Sequence, residues 1–220
     1  MACRQARPIS YARMTVANTL GRDLNWLARQ SFEHTAQQIV FQEKIDAIED
    51  AAQRLRRLDE QLRIVVPTWS MARVVEAYQA MRGASFLVAV IFAAEIGDVR
   101  RFDTPPQLMA FLGLVPGERS TGDTVRRSSL TLAGNRRARC ALVEAAWTYH
   151  YPARVSEALS LRLKGLPKAV RDIAWKAQVR LCARYRRLTA SGKKPPVVAA
   201  AIAREMAAFL WAIGREVAPS

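Results

Sequence analysis

The sequence predicts a mainly α fold: a long amphipathic, coiled-coil-like helix followed by a compact helical domain containing a helical hairpin. Three observations lead there. Apolar residues recur at steps of three and four along most of the chain. Glycine and proline fall mostly at the ends of these segments, where helices start and stop. No alternating strand pattern of useful length appears anywhere.

The elements follow in order. Residues 1–20 have no clear periodicity. Residues 24–63 contain neither proline nor glycine. Within them Phe41, Ile45, Ile48, Ala52, Leu55, Leu58 and Leu62 form a near-heptad stripe, with charged residues on the other faces. Such a stripe packs on a partner helix, from the same chain or from another. Pro67 ends this region, dividing the chain into an N-terminal segment, 1–66, and a helical domain, 67–220.

A helix over 71–81 follows, stopped by Gly83, and another over 84–95, closed by Gly97 and Asp98. Two helices joined at a glycine make a hairpin whose amides can hold a phosphate, or whose purpose is packing alone. A proline-started helix spans 105–112. Pro116 and Gly117 then open an arginine-rich stretch, and a helix over 135–148 buries Ala138, Leu142, Ala145 and Ala146. Residues 168–188 form a helix with Val170, Ile173, Ala174, Ala177, Leu181 and Tyr185 on its apolar face. A last helix over 197–217 turns Ile202, Met206, Phe209, Leu210 and Ile213 inward.

Charge is the compositional outlier: net +15, with a pI near 10.8. Residues 1–114 carry 14 Lys/Arg against 12 Asp/Glu, a net of +2, whereas residues 115–190 carry 16 against 5, a net of +11. An excess so confined marks a binding surface for polyanions, nucleic acid before membrane. The run "SFLVAVIFAA" is about half the length a bilayer span needs, and Arg204 and Glu205 break the C-terminal apolar segment. The arginines near the N-terminus lead into no long apolar run, so a signal peptide is not expected. Cys3, Cys140 and Cys182 form no C-x-x-C pair, and only His34 and His150 could assist them, which disfavours a zinc site. The expectation is a cytoplasmic protein with reduced cysteines, no membrane association and no metal of its own.

The stretch "ERSTGDTVRRSSLTLAGNRRARC", residues 118–140, sets six arginines and six hydroxyl side chains against two carboxylates. Arg136, Arg137 and Arg139 crowd the first turn of a helix, where cations oppose the helix dipole. A phosphate docked at that helix start would account for them. A serine attacking a phosphodiester builds charge on the non-bridging oxygens, which arginines stabilise. Ser120 follows Arg119 and precedes Gly122. Ser128 and Ser129 follow Arg126 and Arg127 and are its rivals. Each serine could equally hydrogen-bond a phosphate or cap a helix. No nucleotide-binding glycine loop, hydrolase triad or converging acid cluster is legible.

These residues resemble the C-terminal part of the Piv/MooV-type insertion-sequence transposases, the bridge-RNA-guided serine recombinases. The matching words are "RGASFLVAVIFAAEIGDVRRFDTPPQLMAFLGLVPGERSTG", "RRSSLTLAGNRRARCALVEAAW", "LPKAVRDIAWKAQVRLCARYRRL" and "AIAREMAAFLWAIGREV". "LNWLARQSFEHTAQQIVFQEKIDAIE" resembles the helical segment before that domain.

The resemblance implies a serine in "S-[ST]-G" context, here Ser120, that links covalently to DNA. Arg119, Arg126, Arg127, Arg136, Arg137 and Arg139 would then clamp phosphates, with Asn135 shaping the helix start. It implies a guide RNA and a homo-oligomer, which suits the heptad stripe. Where the family has a "GGITKAGN"-like run this chain has "SSLTLAGN": two glycines are Ser128 and Ser129, and a lysine is Leu132. The family's magnesium is held by an acidic RuvC-like domain. On this resemblance the chain starts where that domain would have ended and is expected to be incomplete by itself. A non-catalytic nucleic-acid-binding remnant is the alternative.

Overall fold

A computed structural model describes residues 26–27, 29–118, 127–131 and 133–217. They belong to two compact units, Met1–Trp69 and Ser70–Ser220. In the first, a 31-residue helix, α1 (Thr35–Val65), runs for about 46 Å. Its entry is held by Phe32, whose N–H donates to Gln38 Oε1 at 3.1 Å and whose ring lies 5.0 Å from that of Phe41. The predicted stripe is on this helix, but Ile48, Leu55 and Leu58 are 39–49% exposed while Ile45 is buried.

The second unit holds the domain core. The predicted hairpin is α2 (Ala72–Tyr78) and α3 (Phe86–Ile96), packed through an edge-on contact of Tyr78 with Phe92 at 5.2 Å. Up to Glu95, α3 has no charge in its sequence, and it buries Val88, Ala89, Val90, Phe92, Ala93 and Ile96. Asp98 then caps a 3-10 turn, Val99–Arg101, by accepting from Arg100 N at 2.9 Å. The hydrogen bond from the Arg100 side chain, first among its causes, holds the Asp98 carboxyl below the usual carboxylate range. Helix α4 (Pro105–Phe111) starts on its proline, as predicted.

Three further elements were not expected. Strands β1 (Pro116–Glu118) and β2 (Arg127–Leu130) pair antiparallel, with Pro116 opposite Leu130 and Glu118 opposite Arg127. Three and four residues are too few to show alternation, and "PGE" reads as a turn. After α5 (Arg136–Ala146) and a 3-10 turn, Trp147–His150, comes a short helix, α6 (Glu157–Leu163), capped by Ser156. At seven residues it is too short to establish a period.

Helices α7 (Lys168–Ala190) and α8 (Pro195–Glu216) complete the unit. Helix α8 is the spine, packing on α7, α5, α4 and α2. It buries Ile202, Met206, Leu210 and Ile213 together with Ala199, Ala203 and Ala207, small residues that let neighbouring helices come close. By length and composition α8 could cross a membrane, but half of that stretch is buried inside the domain, as a core helix requires. Phe209 and Ile173, expected inward, are only partly covered at the edges of their faces.

The hairpin corner serves packing. Tyr149 donates its hydroxyl to Arg82 O at 2.8 Å, and Arg162 Nη1 donates to Ala84 O at 2.9 Å. Burial, foremost, pushes the Tyr149 phenol far above its ordinary range, so it stays a neutral donor. Gly83 lies between them at φ +82°, where a Cβ would collide with Ala145 O and meet Thr148 Oγ1 at 2.7 Å. Gly83→Ala should therefore cost more than about 1 kcal/mol and lower Tm by several degrees. Gly97→Ala, with open space around its Cβ, should cost less. Thermal melts followed by circular dichroism check both; equal losses would refute the packing account.

Candidate nucleic-acid interface

The start of α5 is built on the ends of two other helices. The last carbonyls of α4 lack helical partners, and residues of the "AGNRRAR" run supply them. Asn135 N–H donates to Phe111 O at 2.9 Å, and Arg139 Nη1 donates to Leu112 O at 2.8 Å. Gly134, at φ +133°, lets the chain pass here: a Cβ would strike Phe111 O and meet Gly113 N at 3.0 Å.

Asn135 ties the junction together. Its Oδ1 accepts from Ala138 N at 2.9 Å, capping α5, and its Nδ2 donates to Glu95 Oε2 at 2.7 Å near the end of α3. The other oxygen of Glu95 lies 3.5 Å from Arg137 Nη1. A carboxylate at a helix start complements the dipole, so Glu95 offsets part of the cationic crowding there. Glu95 carried no functional reading in the sequence. Its one signal is position: a lone acid in the last turn of an apolar helix, where the dipole disfavours it.

The predicted residues separate into four groups. Asn135, Arg136 and Arg137 meet at the α5 start, with both arginines exposed and the Arg137 side chain 85% exposed. Arg139 is buried, only 9% exposed, and donates to Leu112 O, which makes it a fastener of the fold. Arg127, Ser128 and Ser129 are in β2, whose backbone continues through Thr131 N–H donating to Val115 O at 2.9 Å. Ser120, Arg119 and Arg126 lie outside the described residues.

The first turn divides by what each side chain reaches, since Arg136 and Arg139 lie only about 60° apart around the helix. Arg136 and Arg137 face solvent while Arg139 turns into the domain. Arg139→Ala should cost about 1.5–3 kcal/mol, because Leu112 O would be left buried and unsatisfied. Arg136→Ala and Arg137→Ala should each stay within about 0.5 kcal/mol of the parent. Urea unfolding of the three variants distinguishes these outcomes.

Comparison with known proteins finds transposases. Residues 75–158, from α2 into α6, match the Transposase IS116/IS110/IS902 family. The chain is 51% identical over 195 residues to a protein of Sinorhizobium fredii (strain NBRC 101917 / NGR234) named as the transposase y4qE, covering 89% of this chain and 47% of that one. It is 29% identical over 168 residues to a protein of Pseudomonas aeruginosa named as a family 20 transposase, covering 76% and 42%. The chain spans about half the length of the curated relatives it matches. The Glu95–Asn135 junction lies within the part of the chain that is similar to the Transposase IS116/IS110/IS902 family, residues 75–158.

Proposed function

We propose that this chain supplies the part of an insertion-sequence transposase that grips DNA and attacks it through Ser120. The observation that supports the grip is the α5 start: Arg136 and Arg137 exposed on a rigid helix N-terminus, inside a segment of net +11. Exposed guanidinium groups beside unpaired first-turn amides match the geometry of a phosphate oxygen. Arg127 enters the same segment from β2.

In the chemistry proposed, Ser120 Oγ loses its proton and bonds to a DNA phosphorus. The bond from phosphorus to the neighbouring nucleotide oxygen breaks, and that oxygen takes up a proton. Arg119, Arg126, Arg127, Arg136 and Arg137 stabilise charge growing on the non-bridging oxygens. The phosphoserine link keeps a phosphodiester in hand for resealing to another strand. Magnesium, on this reading, comes with an acidic N-terminal domain. Among the described residues no three His, Cys, Asp or Glu side chains cluster as ligands, and Glu95 is engaged by Asn135 and Arg137.

A guide RNA and a second copy of the chain complete the proposal. The exposed Ile48, Leu55 and Leu58 of α1 suit a helix-to-helix pairing between copies. The test incubates the chain, alone and with a separately supplied acidic N-terminal domain, with labelled element-end DNA, guide RNA and magnesium. A covalent protein–DNA band that disappears in Ser120→Ala supports the nucleophile. A band lost instead in Ser128→Ala or Ser129→Ala moves the role there. DNA binding without a band in either mixture leaves a non-catalytic binding protein. Affinity should fall linearly with log salt, and Arg136→Gln/Arg137→Gln should flatten that slope by about two; salt-independent binding overturns the grip.

A further inference from the structure

Helix α7 carries seven Lys/Arg and a single carboxylate, Asp172, in 23 residues. Its buried face is Val170, Ala174, Ala177, Leu181 and Tyr185. At 100° per residue the opposite face is Lys168, Asp172, Trp175, Val179 and Arg186, flanked by Lys176 and Arg187. All of these are exposed, and Trp175 and Val179 are 48% and 44% exposed. Arg180 and Arg184 are engaged by Glu205 of α8, whereas Lys168, Lys176, Arg186 and Arg187 are in none of the ion pairs found among the described residues.

An exposed tryptophan with cations on both sides along one helix is unlike a merely solvated face. A solubility face has no use for an indole. The Trp175 ring borders a shallow depression with Val155, Leu159 and Arg171, which seats it against the domain. Lys168 and Arg186 lie about 27 Å apart along the axis, with Trp175 between them. Cations that follow a backbone, with an aromatic plane between them for a base, are the parts of a single-strand binding track. A fully paired duplex offers phosphates to the cations but hides its base faces from the indole.

We propose that the exposed face of α7 binds an unpaired polynucleotide strand, with Trp175 stacking on a base and Lys168, Lys176, Arg186 and Arg187 holding the phosphates. This surface is separate from the α5 start and depends neither on Ser120 nor on the grip described above. DNA and RNA share the recognised chemistry.

The experiment is fluorescence anisotropy of the full chain against three labelled probes: 20-nucleotide oligothymidylate, oligouridylate of the same length, and a paired 20-base-pair DNA. Trp175→Ala should weaken binding to at least one unpaired strand about 5-fold or more, leaving the duplex within about 2-fold. The strand that loses more identifies the sugar preferred. Trp175→Phe should keep most of the affinity, since a stacking plane remains. Arg136→Gln/Arg137→Gln should weaken the duplex in a parent whose α5 grip is real. A parent that binds strands through Trp175 but not the duplex would refute that grip while upholding this track.

No change on Trp175→Ala, or equal loss on strands and duplex, overturns the proposal. If Trp175→Ala lowers Tm by more than a few degrees, Lys168→Gln/Arg186→Gln carries the same test. Its strand affinity must then fall with a smaller salt slope, or the track is refuted.

Discussion

The helical domain depends on one junction, where the α5 start is fastened to the ends of α3 and α4. Three helix termini meet there, and each arrives with backbone groups that its own helix cannot satisfy. Phe111 O and Leu112 O receive the Asn135 amide and the Arg139 guanidinium. The α5 amides receive Asn135 Oδ1, and Asn135 in turn is held by Glu95. Gly134 is required because the chain passes within contact of the α4 carbonyl. With these bonds made, Arg136 and Arg137 are displayed from a rigid base, not from a loop.

That arrangement alters how the arginine-rich stretch is understood. Its cations are not equivalent. Arg139 sits inside the domain because a carbonyl needs a donor there, and a charged donor makes a strong hydrogen bond. Arg137 is shared between solvent and Glu95 at 3.5 Å, a partly exposed pair contributing little to stability. Among the described residues Arg136 is in no ion pair found, and it is exposed. Charge density alone does not separate these roles; the partners each side chain reaches do.

Helix α8 supplies the other constraint. Its alanines bring α7 and α5 close, and its Glu205 draws Arg180 and Arg184 of α7 to one side. Lys168 and Arg186 are left on the Trp175 face, while Lys176 and Arg187 lie between that face and the ion-paired arginines. The two basic surfaces of the domain, at the α5 start and along α7, are thus defined by what the core consumes as much as by composition.

The periodicities of α1, α5, α7 and α8 were legible in the sequence, because a buried stripe must repeat every 3.6 residues and that repeat survives in one dimension. So were the glycine stops, the proline start of α4 and the concentration of charge in residues 115–190. The short elements were not: β1, β2 and α6 are each below the length at which a period exists. Nor were the roles of Glu95 and Arg139, which meet Asn135 and Leu112 across 40 and 27 residues of chain. Local pattern tells which face of a helix is wet or dry. Only the packed fold decides which distant carbonyl an arginine reaches, since that depends on how three helices converge.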